Sequence, residues 1–143
     1  MKELLHKYTR YNLWANTRVC EEFLKKLDES LWDKPIVSSF PSIRKTLYHI
    51  WGAEELWLMR AKGVSLDYLP NQKFIGSADA IIKKFLSVSR EWVTVTGSFD
   101  KINFSKVSNF GKVNDLVSYT NTKGEKFTDN LSDIILHVVN HST

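Results

Sequence analysis

The chain has a single cysteine, Cys20, in 143 residues. One thiol cannot close an internal disulfide, and such sparse cysteine fits a reducing compartment better than an extracellular one. No apolar run approaches the ~20 residues that a membrane-spanning helix needs. The amino-terminal stretch from Met1 to Tyr11 alternates charged and apolar residues and lacks the continuous apolar core of a signal peptide. A cytoplasmic protein with no membrane partner is the expectation. Charge of one sign is not gathered either: the net charge is +4, but Lys25, Lys26, Lys45, Lys83, Lys84, Lys101 and Lys123 are scattered along the chain. Without a basic stripe or aromatics set among lysines, there is no footprint of a nucleic-acid partner. Internal repeats and low-complexity tracts are absent as well.

The remainder is an ordinary globular composition, 43% hydrophobic and 25% charged. A chain of this length buries roughly two-thirds of its unfolded surface, so one domain over residues 1–143 is expected. From Leu4 to Leu27 the large apolar residues Leu4, Tyr8, Tyr11, Leu13, Trp14, Val19, Phe23, Leu24 and Leu27 form a stripe at three-and-four spacing. That spacing predicts an amphipathic helix with the stripe turned inward. Asp28 to Pro41 reads as a connection with one short turn near Leu31 and Trp32. A second helix opens at the capping residue Ser42, carries Ile43, Leu47, Ile50, Trp51, Glu54, Leu58 and Ala61 on one side, and stops at Gly63.

Val64 to Gly76 reads as a crossing loop. Ser77 caps a third helix whose buried stripe is Ile81, Ile82, Phe85, Leu86, Ser89, Trp92 and Val93, fading by Gly97. Ile102, Phe104, Val107, Val113, Leu116, Val117 and Tyr119 then sit among small polar residues and suggest short extended pieces. Thr122 to Glu125, between Tyr119 and Phe127, reads as a hairpin turn in which Gly124 supplies the positive φ. A fourth helix is expected from Thr128 or Asp129 to the last residue, with no glycine, proline or closing basic residue after Asn140.

Four histidines are present: His6, His49, His137 and His141. His137 and His141 are four apart on the last helix, so their side chains share a face and can reach one divalent ion. His49 lies near the core-facing side of the second helix. Alone it reads as a hydrogen-bonded core residue; opposite a histidine pair it becomes a third metal ligand, because bundle interiors assemble metal sites from facing helices. Glu54 and Glu55 fit either a carboxylate supporting His49 or a solvated face.

Three stretches carry a family resemblance: Tyr11-Asn12-Leu13-Trp14-Ala15-Asn16; Ser42 to Ile50 with Ala53-Glu54 and Trp57; and Asp133 to Thr143 with its Asn140-His141-Ser142-Thr143 close. In order and spacing the sequence resembles the DinB/YfiT-like family. The resemblance implies an all-α fold, an antiparallel four-helix bundle with a long crossover, often dimeric. It also implies a three-histidine site for a divalent metal, zinc or nickel. The second-helix ligand matches His49, and the first of two last-helix ligands falls at His141. The next falls just past Thr143, so either the last helix is cut short and the site incomplete, or His137 stands in.

The wider superfamily includes thiol-dependent transferases and isomerases, in which a metal holds a low-molecular-weight thiol as thiolate. Two readings follow. In the first, the protein is a divalent-metal-dependent enzyme, of hydrolase or thiol-transferase type, with a small-molecule substrate. Trp14, Trp51 and Trp57 would then wall the pocket, unless they are plain core. In the second it is a catalytically silent helical bundle, a binding or stress-associated module without a complete metal site.

Overall fold

The computed structural model describes residues 1–99 and 115–142. It is mostly helical, with one small two-stranded antiparallel sheet. Helix α1 spans Lys2–Arg18 and runs on through a π-helical turn, Val19–Phe23, and a 3-10 turn, Leu24–Lys26. A further 3-10 turn, Glu29–Leu31, is capped by Asp28, whose carboxylate accepts from the Ser30 amide. That is the short turn expected in the connection.

Helix α2, Ile43–Ala61, begins where Ser42 Oγ accepts from the Lys45 amide at 3.2 Å. Beyond Ala61 the helix is closed at Gly63, where φ is 81°. There the Gly63 amide reaches the Arg60 carbonyl and the Val64 amide reaches that of Met59, both at 2.9 Å. This is the left-handed glycine closure that satisfies otherwise orphaned carbonyls. The crossing segment is not all loop: Pro70–Lys73 forms one helical turn, α3, with proline at its start. Helix α4, Ala78–Gly97, opens at Ser77, which accepts from the Ala80 amide. Its buried residues include the expected Ile81, Ile82, Phe85, Leu86, Ser89 and Trp92, with Val95 and Thr96 buried in place of Val93.

Strands β1 (Leu116–Thr120) and β2 (Lys126–Asn130) pair antiparallel, from Leu116 opposite Asn130 to Thr120 opposite Lys126. The turn between them lies where expected. Gly124 adopts a φ of 84°, and Asn121 Oδ1 accepts from the amides of Lys123 and Glu125. The strand costs the last helix its first residues. Thr128 and Asp129 pair with Ser118 and Val117, and α5 begins only at Leu131, running to Ser142. The extended pieces expected around Ile102, Phe104, Val107 and Val113 lie outside the described residues.

Each of α1 and α2 packs against both α4 and α5. Buried side chains from all four, among them Leu5, Leu47, Trp51, Leu58, Ile81, Phe85, Trp92, Leu131 and Ile135, form one hydrophobic cluster. At roughly 25 cal/mol per Å2 of apolar surface removed from water, this burial is the main favourable term in folding.

Helix α1 enters the cluster by a different face from the expected one. Leu4, Tyr8, Tyr11, Trp14, Val19 and Phe23 are exposed, Trp14 at 56% and Phe23 at 57%. The inward line is Leu5, Thr9, Asn12, Asn16, Cys20 and Leu24. Both lines have helical spacing. The polar one wins because its polar side chains find buried partners, which apolarity alone does not reveal. Trp14 is therefore no pocket wall; its ring lies tilted against Tyr11 on the surface, with Arg18 over it.

Candidate metal centre

The polar line of α1 leads to Glu54 on α2, whose side chain is buried at 1% exposure. An isolated carboxylate there would be prohibitive, but this one is well supplied with donors. Its Oε1 accepts from Asn12 Nδ2 at 2.8 Å, Asn16 Nδ2 at 3.1 Å and Ser142 Oγ at 2.8 Å. Its Oε2 accepts from Ser89 Oγ at 2.8 Å. Asn16 also donates to Ser89 Oγ, and the Trp92 indole donates to the Glu54 carbonyl. Burial pushes the Glu54 carboxyl above its ordinary pKa, opposed by the hydrogen bonds from Asn12, Ser142, Ser89 and Asn16. One side chain thus ties α1, α4 and the end of α5 to α2.

His141 precedes Ser142, and α5 carries it to His49 on α2. The two Nε2 atoms are 2.9 Å apart and the ring centroids 4.7 Å apart. Phe40 stacks on the His49 ring at 4.0 Å and fixes its plane. Burial lowers the pKa of His49. His141 is lowered by burial and then by His49 and His137. Both shifts favour neutral imidazoles, the form that donates a lone pair to a metal. A hydrogen bond between the two Nε2 atoms needs one to donate and the other to accept, so a single proton lies between them. His141 Nδ1 is buried without a hydrogen-bond partner among the described residues.

The donor set suits a divalent ion. Zinc–nitrogen bonds of about 2.0–2.1 Å at a tetrahedral angle separate two nitrogens by roughly 3.3 Å, so this pair needs to open by only a few tenths of an ångström. Two nitrogens are not a full set, however, and no group of three or more His, Cys, Asp or Glu side chains gathers among the described residues.

His137 does not close with the other two. Its ring is 5.9 Å from that of His141 and sits edge-on to Trp57 at 5.3 Å. His6 is on another face, with Nδ1 3.1 Å from Thr96 Oγ1. Of the two acids weighed as supports for His49, Glu54 is the structurally committed one, but it reaches Ser142 rather than the imidazole. Trp51 is core, 2% exposed, set against Tyr48 and Phe74. Only Trp57 of the three tryptophans borders the histidines.

Asn12, Asn16, Ser89 and Ser142 were not singled out from the sequence as members of one network. A signal is there: Leu5, Thr9, Asn12, Asn16 and Cys20 form a second helical line, and three of the four network residues, Asn12, Asn16 and Ser142, lie in the resemblance stretches.

A mostly helical chain whose second and last helices bring two histidines together beside a buried glutamate is the class that fold and site define. The model of the DinB family matches residues 1–143, and the chain belongs to that family. Among characterised proteins it is similar to Protein DinB of Bacillus subtilis (strain 168), with 23% identity over 150 residues, covering 100% of this chain and 80% of that protein.

Proposed function

We propose that this DinB-family chain folds as the family's antiparallel four-helix bundle and works as a divalent-metal protein, with His49 and His141 holding zinc or nickel. The observation that supports this reading is the convergence of the two Nε2 atoms to 2.9 Å from separate helices. A metal bound there would lower the pKa of a water or low-molecular-weight thiol that it holds, the chemistry of hydrolysis or thiol transfer.

The chain's own residues supply position. Glu54 accepts from Ser142 and so fixes the end of α5 next to His141, while Phe40 holds the plane of His49. The remaining coordination positions would fall to water or to substrate. A silent bundle is the second reading, favoured by the direct hydrogen bond with which the histidines can satisfy each other.

Titration calorimetry of the chelator-treated protein with zinc and nickel tests the proposal. One site per chain is expected, lost in both His49→Ala and His141→Ala and retained in His137→Ala. Binding that is absent, or unchanged in His49→Ala and His141→Ala, leaves the silent bundle.

A further inference from the structure

A cavity of about 280 Å3 lies between α2, the crossing segment and α4. Its lining joins the rings of Trp51, Tyr68 and Phe74 to three charged side chains, Glu55, Lys73 and Lys84. Trp51 is buried, Tyr68, Phe74 and Glu55 are half-buried, and both lysines are exposed. The cavity therefore has an aromatic floor and a cationic rim. Neither His49 nor His141 lines it.

The sequence builds this hollow by letting the crossing segment lie close to α2. At Gly52 a Cβ would stand 3.1 Å from side-chain atoms of Asn71, tighter than side chains ordinarily pack, so the missing side chain is what lets α3 settle on α2. Pro70, buried, fixes the backbone at the start of that turn. Phe74, just past α3, then meets Trp51 edge to face with centroids 5.2 Å apart, and Tyr48 at 5.4 Å. A cavity with walls held in this way needs little ordering when a ligand enters.

Its lysines are turned to the rings and not to acids. Lys73 Nζ lies 3.5 Å from the Tyr68 centroid, and Lys84 Nζ lies 5.7 Å from that of Trp51 and 5.8 Å from that of Phe74. The adjacent Lys83, by contrast, pairs with Asp79 at 2.6 Å. Among the described residues no ion pair involves Lys73, Lys84 or Glu55. Two ammonium groups against one carboxylate leave the cavity with a net positive charge, which suits a monoanion. The aromatic lining suits a flat apolar body, with the few polar groups setting its orientation.

We infer that this cavity is a binding site for a small aromatic monocarboxylate, its ring against Trp51, Tyr68 and Phe74 and its carboxylate at Lys73 and Lys84. The site is separate from the histidine pair and stands whether or not that pair binds metal.

The test uses the whole chain, 15N-labelled, freed of metal with chelator, dialysed, and titrated with sodium benzoate at constant ionic strength. The backbone amides of Lys73, Phe74 and Lys84 should shift saturably. Benzamide, which keeps the ring without the charge, and acetate, which keeps the charge without the ring, should each bind about fivefold or more weakly than benzoate. The double variant Lys73→Gln, Lys84→Gln changes two exposed side chains, so it should keep the parent's fold and lose about fivefold or more in benzoate affinity. His49→Ala should bind benzoate like the parent, which separates this site from the metal reading. A non-saturating response, shifts centred on His49 and His141, benzamide or acetate binding as tightly as benzoate, or undiminished benzoate binding in the double variant would overturn the proposal and leave the lysines as covers on the aromatic core.

Discussion

Glu54 and His49 stand about one and a half turns apart on α2, and each meets a residue at the end of α5, yet their surroundings differ. Glu54 is enclosed and accepts from Asn12, Asn16, Ser89 and Ser142. Among the described residues, half-buried His49 has one polar partner, His141, which itself keeps a buried Nδ1 unpaired. A polar group that is fully satisfied inside a protein holds structure together; one that is half satisfied at the edge of the core is available for a ligand. The contrast separates a structural cluster from the one proposed to bind metal on the same two helices.

The largest expected effect comes from breaking the structural cluster. Glu54→Ala takes the carboxylate acceptor from the buried amides of Asn12 and Asn16 and the buried Ser89 hydroxyl, and from the part-buried Ser142 hydroxyl. Removing one side of such a network should cost about 3–5 kcal/mol, visible as a lowered urea midpoint. His49→Ala in the metal-free chain should cost less, because one neutral hydrogen bond and the Phe40 ring contact are lost at the half-buried edge of the core. Comparable losses would mean that the two clusters are not different in kind.

A smaller effect is expected from single donors. Asn12→Ala removes one of the hydrogen bonds that Glu54 accepts and should cost about 1–3 kcal/mol. On the opposite side of α1, Trp14→Ser should stay within about 0.5 kcal/mol, as surface substitutions usually do. Denaturation of the two variants decides between the inward line observed here and the aromatic stripe expected from hydrophobicity.

That reversal shows what was legible in the sequence. Local chemistry was: Ser42 and Ser77 cap the helices they were expected to cap, Gly63 closes α2, and Gly124 makes the hairpin turn. Features set by distant partners were not. The inward face of α1 depends on Glu54, 42 residues from Asn12. The start of α5 depends on Thr128 and Asp129 pairing with β1, which no helix signal reports. Within the site, the meeting of His49 and His141 followed from helix spacing and family pattern, whereas the position of His137 depended on Trp57. That contact leaves no mark in a local window.

The smallest effect, and the one that sharpens the contrast, is in the pH dependence of stability of metal-free protein. Glu54 is held above its ordinary value of 4.5. Its contribution is full below that value and lost as pH rises through the folded pKa, because there the folded chain keeps a proton that the unfolded chain has released. His49 and His141 are held below their ordinary 6.5. Their contribution is full above that value and lost as pH falls through the folded pKa. The two clusters therefore tilt stability in opposite directions. Urea midpoints against pH should lose the decline above the ordinary carboxyl range in Glu54→Gln, and the acid-side decline below the imidazole range in the His49→Gln, His141→Gln double variant. Unchanged profiles in both variants would remove the electrostatic side of the comparison.

The central claim is that the half-satisfied pair takes a divalent ion between its Nε2 atoms. Long-range 1H–15N spectra of the four imidazoles during zinc addition observe those atoms directly. The account predicts that at one equivalent the Nε2 signals of His49 and His141 move together to metal-bound positions while those of His6 and His137 stay in place. His49 and His141 signals that remain at their metal-free positions when zinc is in excess would contradict it.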